Sequence, residues 1–456
     1  MGNVRTEGTL KRRIGLRTAT ALVVGETIAV GIFLTPAGMA KTIGSPALVF
    51  SVWLLMGAMA VCGALCYGEL AARFPEAGGG YVYLREAYGE GLAFLYGWMA
   101  LVVMDPGITA ALAAGLGQYA GYVCGLSPFG VKAVAVASIL LLAAANVYGL
   151  EFGARLMRWL TALKIGLLLF VLAWGFAFRL GDWSNFSPFF AQREGSAPLV
   201  AALAGGLVAA FFSFGGWWDL SKLAGEVKDP ARNLPRALAR GVLVVTAVYI
   251  LTTAAFIYLV PPERVTSGET FAAQAGEALF GRHGGAVFSA VVIVAVAGSL
   301  AGLIMAAPRV YYAMARDGVF FRGVARVHAK FGTPARAIAV QAALASLLVL
   351  AGNFEEIIAY FIFVVVLFIA LTVAGLFRLR RKPDAPRPEY LTPGYPLTPA
   401  AFLSLIAVLL VLLGGNNPRQ ALLGVAAVAA GLPVYYIFFR RRHARVAAAA
   451  VEETLS

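Results

Sequence analysis

Two short stretches of this sequence place polar groups inside otherwise apolar runs. The first reads Gly25-Glu26-Thr27-Ile28-Ala29-Val30-Gly31-Ile32-Phe33-Leu34-Thr35-Pro36, with an acid beside a span whose middle is bracketed by glycine and proline. The second reads Phe211-Phe212-Ser213-Phe214-Gly215-Gly216-Trp217-Trp218-Asp219, where two adjacent glycines interrupt a helix-forming run. Glycine is a poor helix former, and paired glycines let the backbone unwind. Unwound backbone is tolerated in a bilayer only where it lines a protein cavity. There it offers N–H groups to an anion and carbonyls to a cation. A small ligand carrying a carboxylate and an ammonium on one carbon suits both. The bland alternative is that the glycines merely allow close helix packing.

Two ionisable groups inside the apolar runs stand out, Lys164 and Glu26. Lys164 sits midway along Thr161-Ala162-Leu163-Lys164-Ile165-Gly166-Leu167. An intramembrane lysine is costly and usually functional, and a buried ammonium can also release its proton during a cycle. The alternative is a side chain that snorkels to the bilayer surface. Glu26 admits three roles: a proton-coupling carboxylate, a partner for a cationic substrate, or a hydrogen-bonded structural acid. Asp219 and Glu226 follow the second break, where solvated helix-end charge is the simplest expectation; Asp219 is otherwise a vestibule residue and Glu226 a partner for arginines. Trp217 and Trp218 either wall a pocket or face lipid.

The elements that must position these groups are membrane helices. Of 456 residues, 60% are hydrophobic and only 13% charged, which a soluble domain cannot bury. A spanning helix needs roughly 20 mainly apolar residues. Twelve such stretches occur, near 18–43, 45–71, 90–120, 131–149, 155–178, 199–221, 239–260, 285–315, 336–352, 355–377, 398–414 and 418–439. They leave no room for a soluble catalytic domain. The breaks fall in spans 1 and 6, the pattern of an inverted-repeat transporter with its site at mid-membrane.

A net charge of +14 raises the question of a nucleic-acid partner, but its distribution answers otherwise. With the N-terminus inside, 29 of the 37 Lys and Arg residues fall on inner segments and 7 on outer ones, with Lys164 alone in the membrane. The positive-inside rule then places both termini in the cytoplasm of a multi-pass cell-membrane protein. The basic start of the chain and the missing small-residue cleavage site argue against a removed signal peptide. Cys62 and Cys66 sit one helical turn apart as packing residues, and Cys124 falls in the outer loop after span 3. Three cysteines and three histidines give no metal or haem spacing, so neither metal nor cofactor is expected.

Four stretches resemble a known family: GIFLTPAGMA (31–40), FPEAGGGYVYLREAYG (74–89), FSFGGWWDLSKLAGEVKDPARNLPRAL (212–238) and PRVYYAMARDGVF (308–320). They look like the amino acid–polyamine–organocation (APC) superfamily, closest to the L-type amino acid transporters and their bacterial relatives. The resemblance is specific up to about residue 320 and beyond that rests on hydropathy. It implies an all-α LeuT-type fold with discontinuous helices 1 and 6, two five-helix inverted repeats at about 16–180 and 197–378, and two extra helices at about 398–439. One transmembrane domain would span 1–439, with a cytoplasmic tail at 440–456. The implied substrate site has Val30 and Gly31 N–H groups on the carboxylate. The carbonyls of Thr27, Ile28, Phe212, Ser213 and Gly215 would meet the ammonium, and Phe212 would be the outer gate. Lys164 would occupy the region where sodium-coupled relatives bind sodium, touching span 1 near Gly25 and Ile28 and Ser299 on span 8. The loop holding Tyr81, Tyr83 and Tyr88 would form part of the cytoplasmic gate, though interfacial anchoring is the simpler role for the tyrosines. Two departures stand out: Ala29-Val30-Gly31 replaces a Gly-small-Gly break, and Ala301 stands where many relatives have asparagine.

The expected function is secondary amino-acid transport, as a sodium-independent exchanger or proton-coupled permease, with no accessory subunit. No GxxxxGK[ST] loop supports ATP-driven transport. A polyamine or cationic amino-acid carrier is the alternative within transport. An enzyme lacks a convergent acid–base or metal group. A channel would need a continuous polar stripe.

Overall fold

The computed structural model describes residues 12–439 apart from 30, 149, 262–275, 278, 322, 325–327, 329, 330, 332, 353, 385 and 417. Val30 and the tail at 440–456 therefore lie outside the described residues. Among those described the chain is helical, with no strand beyond one bridge between Ile14 and Val227.

Span 1 is two helices, α1 (Leu16–Thr27) and α2 (Gly31–Ile43), separated at Ile28 and Ala29. α3 (Pro46–Arg73) begins at proline, with Ser45 as N-cap accepting from the Leu48 N–H. After α4 (Gly80–Tyr88), α5 (Glu90–Met99) runs through a π turn at Ala100–Met104 into α6 (Asp105–Cys124). α7 (Pro128–Val147) and α8 (Leu150–Ala177) follow. α9 (Leu199–Phe214) ends at the glycine pair and gives way to a 3₁₀ segment, Trp217–Glu226. Of the pair, Gly216 is the residue that must be glycine: its φ of 103° lies in the left-handed region. α10 (Pro230–Leu259) and α11 (Gly284–Ala306) complete the elements around the site.

Among the described residues, ten helices are long and apolar enough to cross a membrane. The two remaining stretches of the sequence reading, spans 1 and 9, are helical but form shorter helices. Span 1 is divided into helices of 12 and 13 residues, and the ninth stretch forms a helix of 17 residues, Ala335–Ala351. Neither reaches the length that crosses roughly 30 Å of hydrocarbon untilted. The helices at the periphery carry exposed apolar side chains, including Phe129, Leu141, Trp159, Val200 and Val411. Hydrocarbon, not water, is the solvent those surfaces fit. α1, α3, α6, α10 and α11 pack in the interior, and α1 touches α8, α10, α11 and the 3₁₀ segment.

Candidate substrate cavity and its buried charges

The two breaks abut. A Cβ at Gly31 would lie 2.7 Å from the Ser213 Cα, so only glycine lets the span 1 break come this close to span 6. Thr35 Oγ1 lies 2.9 Å from Ser213 Oγ and donates to the Gly31 carbonyl at 3.0 Å. Tyr249 of α10 spans both breaks: its hydroxyl is 2.7 Å from the Thr27 carbonyl and 2.6 Å from the Ser213 carbonyl. A phenol has one proton, so it donates to one of them at a time.

Between the breaks lies a small cavity of about 50 Å³. Glu26, Thr27, Ala29 and Gly31 line it from span 1, and Phe211, Phe212, Ser213, Gly215, Gly216, Trp218 and Asp219 from span 6. Ile108, Leu112, Leu303, Phe361, Ile362 and Val365 form the apolar remainder, with Ser299 beside them. Of the residues expected from sequence, Glu26, Thr27, Gly31, Phe212, Ser213, Gly215 and Ser299 thus share one cavity wall. Ile28 does not reach it; its carbonyl points the other way.

That carbonyl faces Lys164. The side chain is 0% exposed, which excludes snorkelling. Its ammonium donates to the Ile28 carbonyl, to Gly25 O at 2.6 Å, to Ser299 Oγ at 2.8 Å and to Ala295 O at 3.3 Å. The carbonyls at 25 and 28 are available because α1 stops at Thr27 and leaves its last acceptors unmet. Lys164 joins α8 to the broken end of α1 and to α11. The contact to Ala295 is the one this cluster adds to the expected set.

This arrangement fits the sequence comparisons. A family model described as "Amino acid permease" matches residues 14–439. The chain belongs to that family. It is 32% identical over 432 residues to the serine/threonine exchanger SteT of Bacillus subtilis (strain 168), covering 93% of this chain and 96% of that one. It is 30% identical over 444 residues to the human large neutral amino acids transporter small subunit 2, covering 95% and 82%. The human cystine/glutamate transporter is 28% identical over 437 residues, covering 93% and 85%. These relatives place the permease in the APC superfamily near the L-type transporters, as a membrane transporter and not an enzyme.

Beyond the breaks the permease holds charges whose burial the sequence did not reveal. Lys222, an inner basic residue by the sequence reading, is 1% exposed. Its ammonium lies 2.9 Å from Asp105 Oδ1 and 2.7 Å from Asp219 Oδ1. The Tyr311 hydroxyl donates to Asp105 Oδ2 at 2.6 Å. Asp219 and Glu226 are buried too, so the expectation of solvated helix-end charge fails. Glu226 pairs with Arg309 at 3.0 Å, and its carbonyl accepts from the N–H groups of Arg13 and Ile14. Trp217 and Trp218 are buried, the former against Tyr67, so neither faces lipid. Glu26 is buried with neither carboxylate oxygen hydrogen-bonded among the described residues, which removes the structural-acid role.

The loop between α3 and α5 folds inward. Tyr81 and Tyr83 are buried instead of anchoring at an interface. The Tyr81 hydroxyl donates to Asp317 at 2.9 Å, and Arg85 pairs with the same carboxylate. Half-burial works against the Arg85 charge, but the facing Asp317 outweighs it and raises the pKa above the ordinary arginine value. Cys124 ends α6 with its thiol exposed. Tyr249 and Asp105 were the functional candidates absent from the sequence reading. The only signal for Asp105 was an acid next to proline inside an apolar run, and a lone tyrosine in an apolar helix gives none.

Proposed function

We propose that the permease carries amino acids by alternating access, binding the α-carboxylate and α-ammonium on the backbone of the two breaks. The carrying observation is the abutment of the Gly31 and Ser213 backbones beside a largely apolar cavity. Gly31 starts the second half-helix, and its N–H together with that of Val30 would receive the carboxylate. The Thr27, Ser213, Phe212 and Gly215 carbonyls receive the ammonium. Tyr249 occupies one lone pair each of Thr27 and Ser213, and a carbonyl has two. Phe212 closes the cavity from outside, and the LeuT-type inverted repeat at about 16–180 and 197–378 supplies the moving halves. Both termini are cytoplasmic, and the chain works without an accessory subunit.

Transport is sodium-independent in this proposal. The Lys164 ammonium sits among the carbonyls and the hydroxyl that would otherwise coordinate a metal cation. A second reading, a carrier of cationic amino acids or polyamines, is favoured by one observation: the unpartnered Glu26 carboxylate at the cavity wall. Counterflow in proteoliposomes, run against the twenty amino acids and the common polyamines with and without sodium and pH gradients, tests both. Counterflow by an α-amino acid without sodium is expected. Polyamine-only flux would replace the proposal with the second reading.

A further inference from the structure

One face of α10 changes character along its length. Arg232, Arg236 and Arg240 are exposed and four residues apart, so they stand on one side of the helix. Leu243, Val244 and Leu251 continue the same side and are exposed too. Basic side chains at one end and apolar ones beyond it match the headgroup and hydrocarbon depths of a bilayer. Beside the basic end lies a groove of about 410 Å³, lined by Arg232, Pro235 and Arg236 of α10, Leu65 of α3, and Glu389 and Tyr390. Its far wall is held in place. Buried Glu69 of α3 accepts from the Thr392 N–H at 2.8 Å and from Arg380 Nε at 2.9 Å, which pins the segment next to Tyr390. The arginines at the groove differ from those nearby. Arg73 and Arg380 both reach Glu69, Arg309 pairs with Glu226, and Arg85 with Asp317. Among the described residues Arg232 and Arg236 have no carboxylate partner. Two guanidinium groups against the single acid Glu389 leave the groove with net positive charge.

We propose that this groove binds an anionic phospholipid, its phosphate on Arg232 and Arg236 and an acyl chain along Leu243, Val244 and Leu251. Guanidinium forks match phosphate oxygens two at a time. Leu243 lies seven residues beyond Arg236, roughly 10 Å along the helix, so a chain leaving the phosphate meets the apolar stripe at once. A soluble phosphate would use the arginines and leave that stripe untouched. A zwitterionic lipid brings its own cation to a groove that is already positive. An anionic lipid fits both ends. Seated there, it bridges α10, α3 and the segment at 389–392. In the orientation proposed above, the site belongs to the cytoplasmic leaflet; the amino-acid reading plays no part in it.

The test uses the full chain in an uncharged detergent, with dioleoyl phosphatidylglycerol, dioleoyl phosphatidylcholine and glycerol phosphate as probes. Native mass spectrometry reads lipid retention, and the melting temperature during titration reads affinity. Phosphatidylglycerol should be retained and should stabilise the protein at concentrations where phosphatidylcholine does neither. Glycerol phosphate, which has the headgroup without the chains, should not compete at the lipid's concentration. Arg232→Gln with Arg236→Gln should weaken phosphatidylglycerol binding roughly 10- to 30-fold, from about a kilocalorie per arginine. Both side chains are exposed, so the variant should keep its gel-filtration profile and its melting temperature without lipid. Arg155→Gln with Arg336→Gln removes the same charge from other exposed inner positions and should leave the binding as it was. Equal retention of the two lipids overturns the proposal. So does an Arg232→Gln, Arg236→Gln variant that keeps the preference, or a control variant that loses it equally. Competition by glycerol phosphate would make this an anion site without a lipid, which also overturns it.

Discussion

Lys164 and Lys222 are both buried lysines close to one cavity, yet their ammonium groups are satisfied in opposite ways. Lys222 sits between two carboxylates, Asp105 and Asp219, and ties the segment after the span 6 break to α6. Lys164 touches no carboxylate; three carbonyls and one hydroxyl receive its protons. Two of those carbonyls exist as acceptors only because α1 ends at Thr27. The ion pair is a closed unit that holds two elements together whatever the substrate does. The carbonyl-bound ammonium reports on the shape of the broken helix, and its charge is left uncancelled beside the site. The first lysine joins two elements through its ion pairs, and the second is the one proposed to serve the transport cycle.

The comparison breaks if the two lysines respond alike. Lys222→Met leaves two buried carboxylates without their cation, and removing one partner of a buried pair costs about 3–5 kcal/mol. A large fall in melting temperature in detergent is expected, with part of it recovered when Asp105→Leu is added. An unchanged melting curve would show that the pair does not hold the fold. Lys164→Ala removes a charged donor from neutral acceptors worth about 1.5–3 kcal/mol each. Its main effect should be on function, roughly a 10- to 100-fold loss of transport rate with insertion intact. Full activity would strip Lys164 of its proposed role.

Two smaller changes sharpen the same contrast at the breaks. Gly31→Ala forces a methyl against the Ser213 backbone, and overpacking of this kind costs about 1–3 kcal/mol. Substrate affinity should fall, and the melting temperature should drop by less than in Lys222→Met. Tyr249→Phe removes one hydroxyl shared by two carbonyls, worth about 1 kcal/mol, so a several-fold weaker affinity is expected. Equal affinity in binding assays would mean that Tyr249 does not set the spacing of the breaks.

How much of this was legible from sequence depended on the kind of signal. The breaks were visible because Gly215-Gly216 and the Gly31 region violate helix propensity within apolar runs. The Lys164 contacts to Gly25, Ile28 and Ser299 followed from the family resemblance, since hydropathy says nothing about helix rotation. Hydropathy also hid Lys222. It lies near a helix end, where a snorkelling lysine and a buried one have the same pattern, and only the packing of α6 against the 3₁₀ segment separates them. Asp105 lies mid-way along the third apolar stretch, where an acid beside a proline was its only signal. Tyr249 needs three dimensions, because its partners are backbone atoms 222 and 36 residues away in the chain. Span 9 was legible as well: the apolar stretch near 336–352 forms the helix Ala335–Ala351, within one residue at each end.

The most direct test concerns the breaks as the place where substrate is held. Binding of the transported amino acid should be measured for the unmodified permease and for Gly215→Leu in sodium-free buffer, with membrane insertion checked in both. The leucine side chain would enter the cavity from beside the Phe212 carbonyl, 3.1 Å from where its Cβ would sit. The expected result is sodium-independent binding by the unmodified chain and none by the variant. Unchanged affinity in Gly215→Leu, or binding that appears only when sodium is added, would contradict a site built from the two unwound helices with Lys164 as its fixed cation.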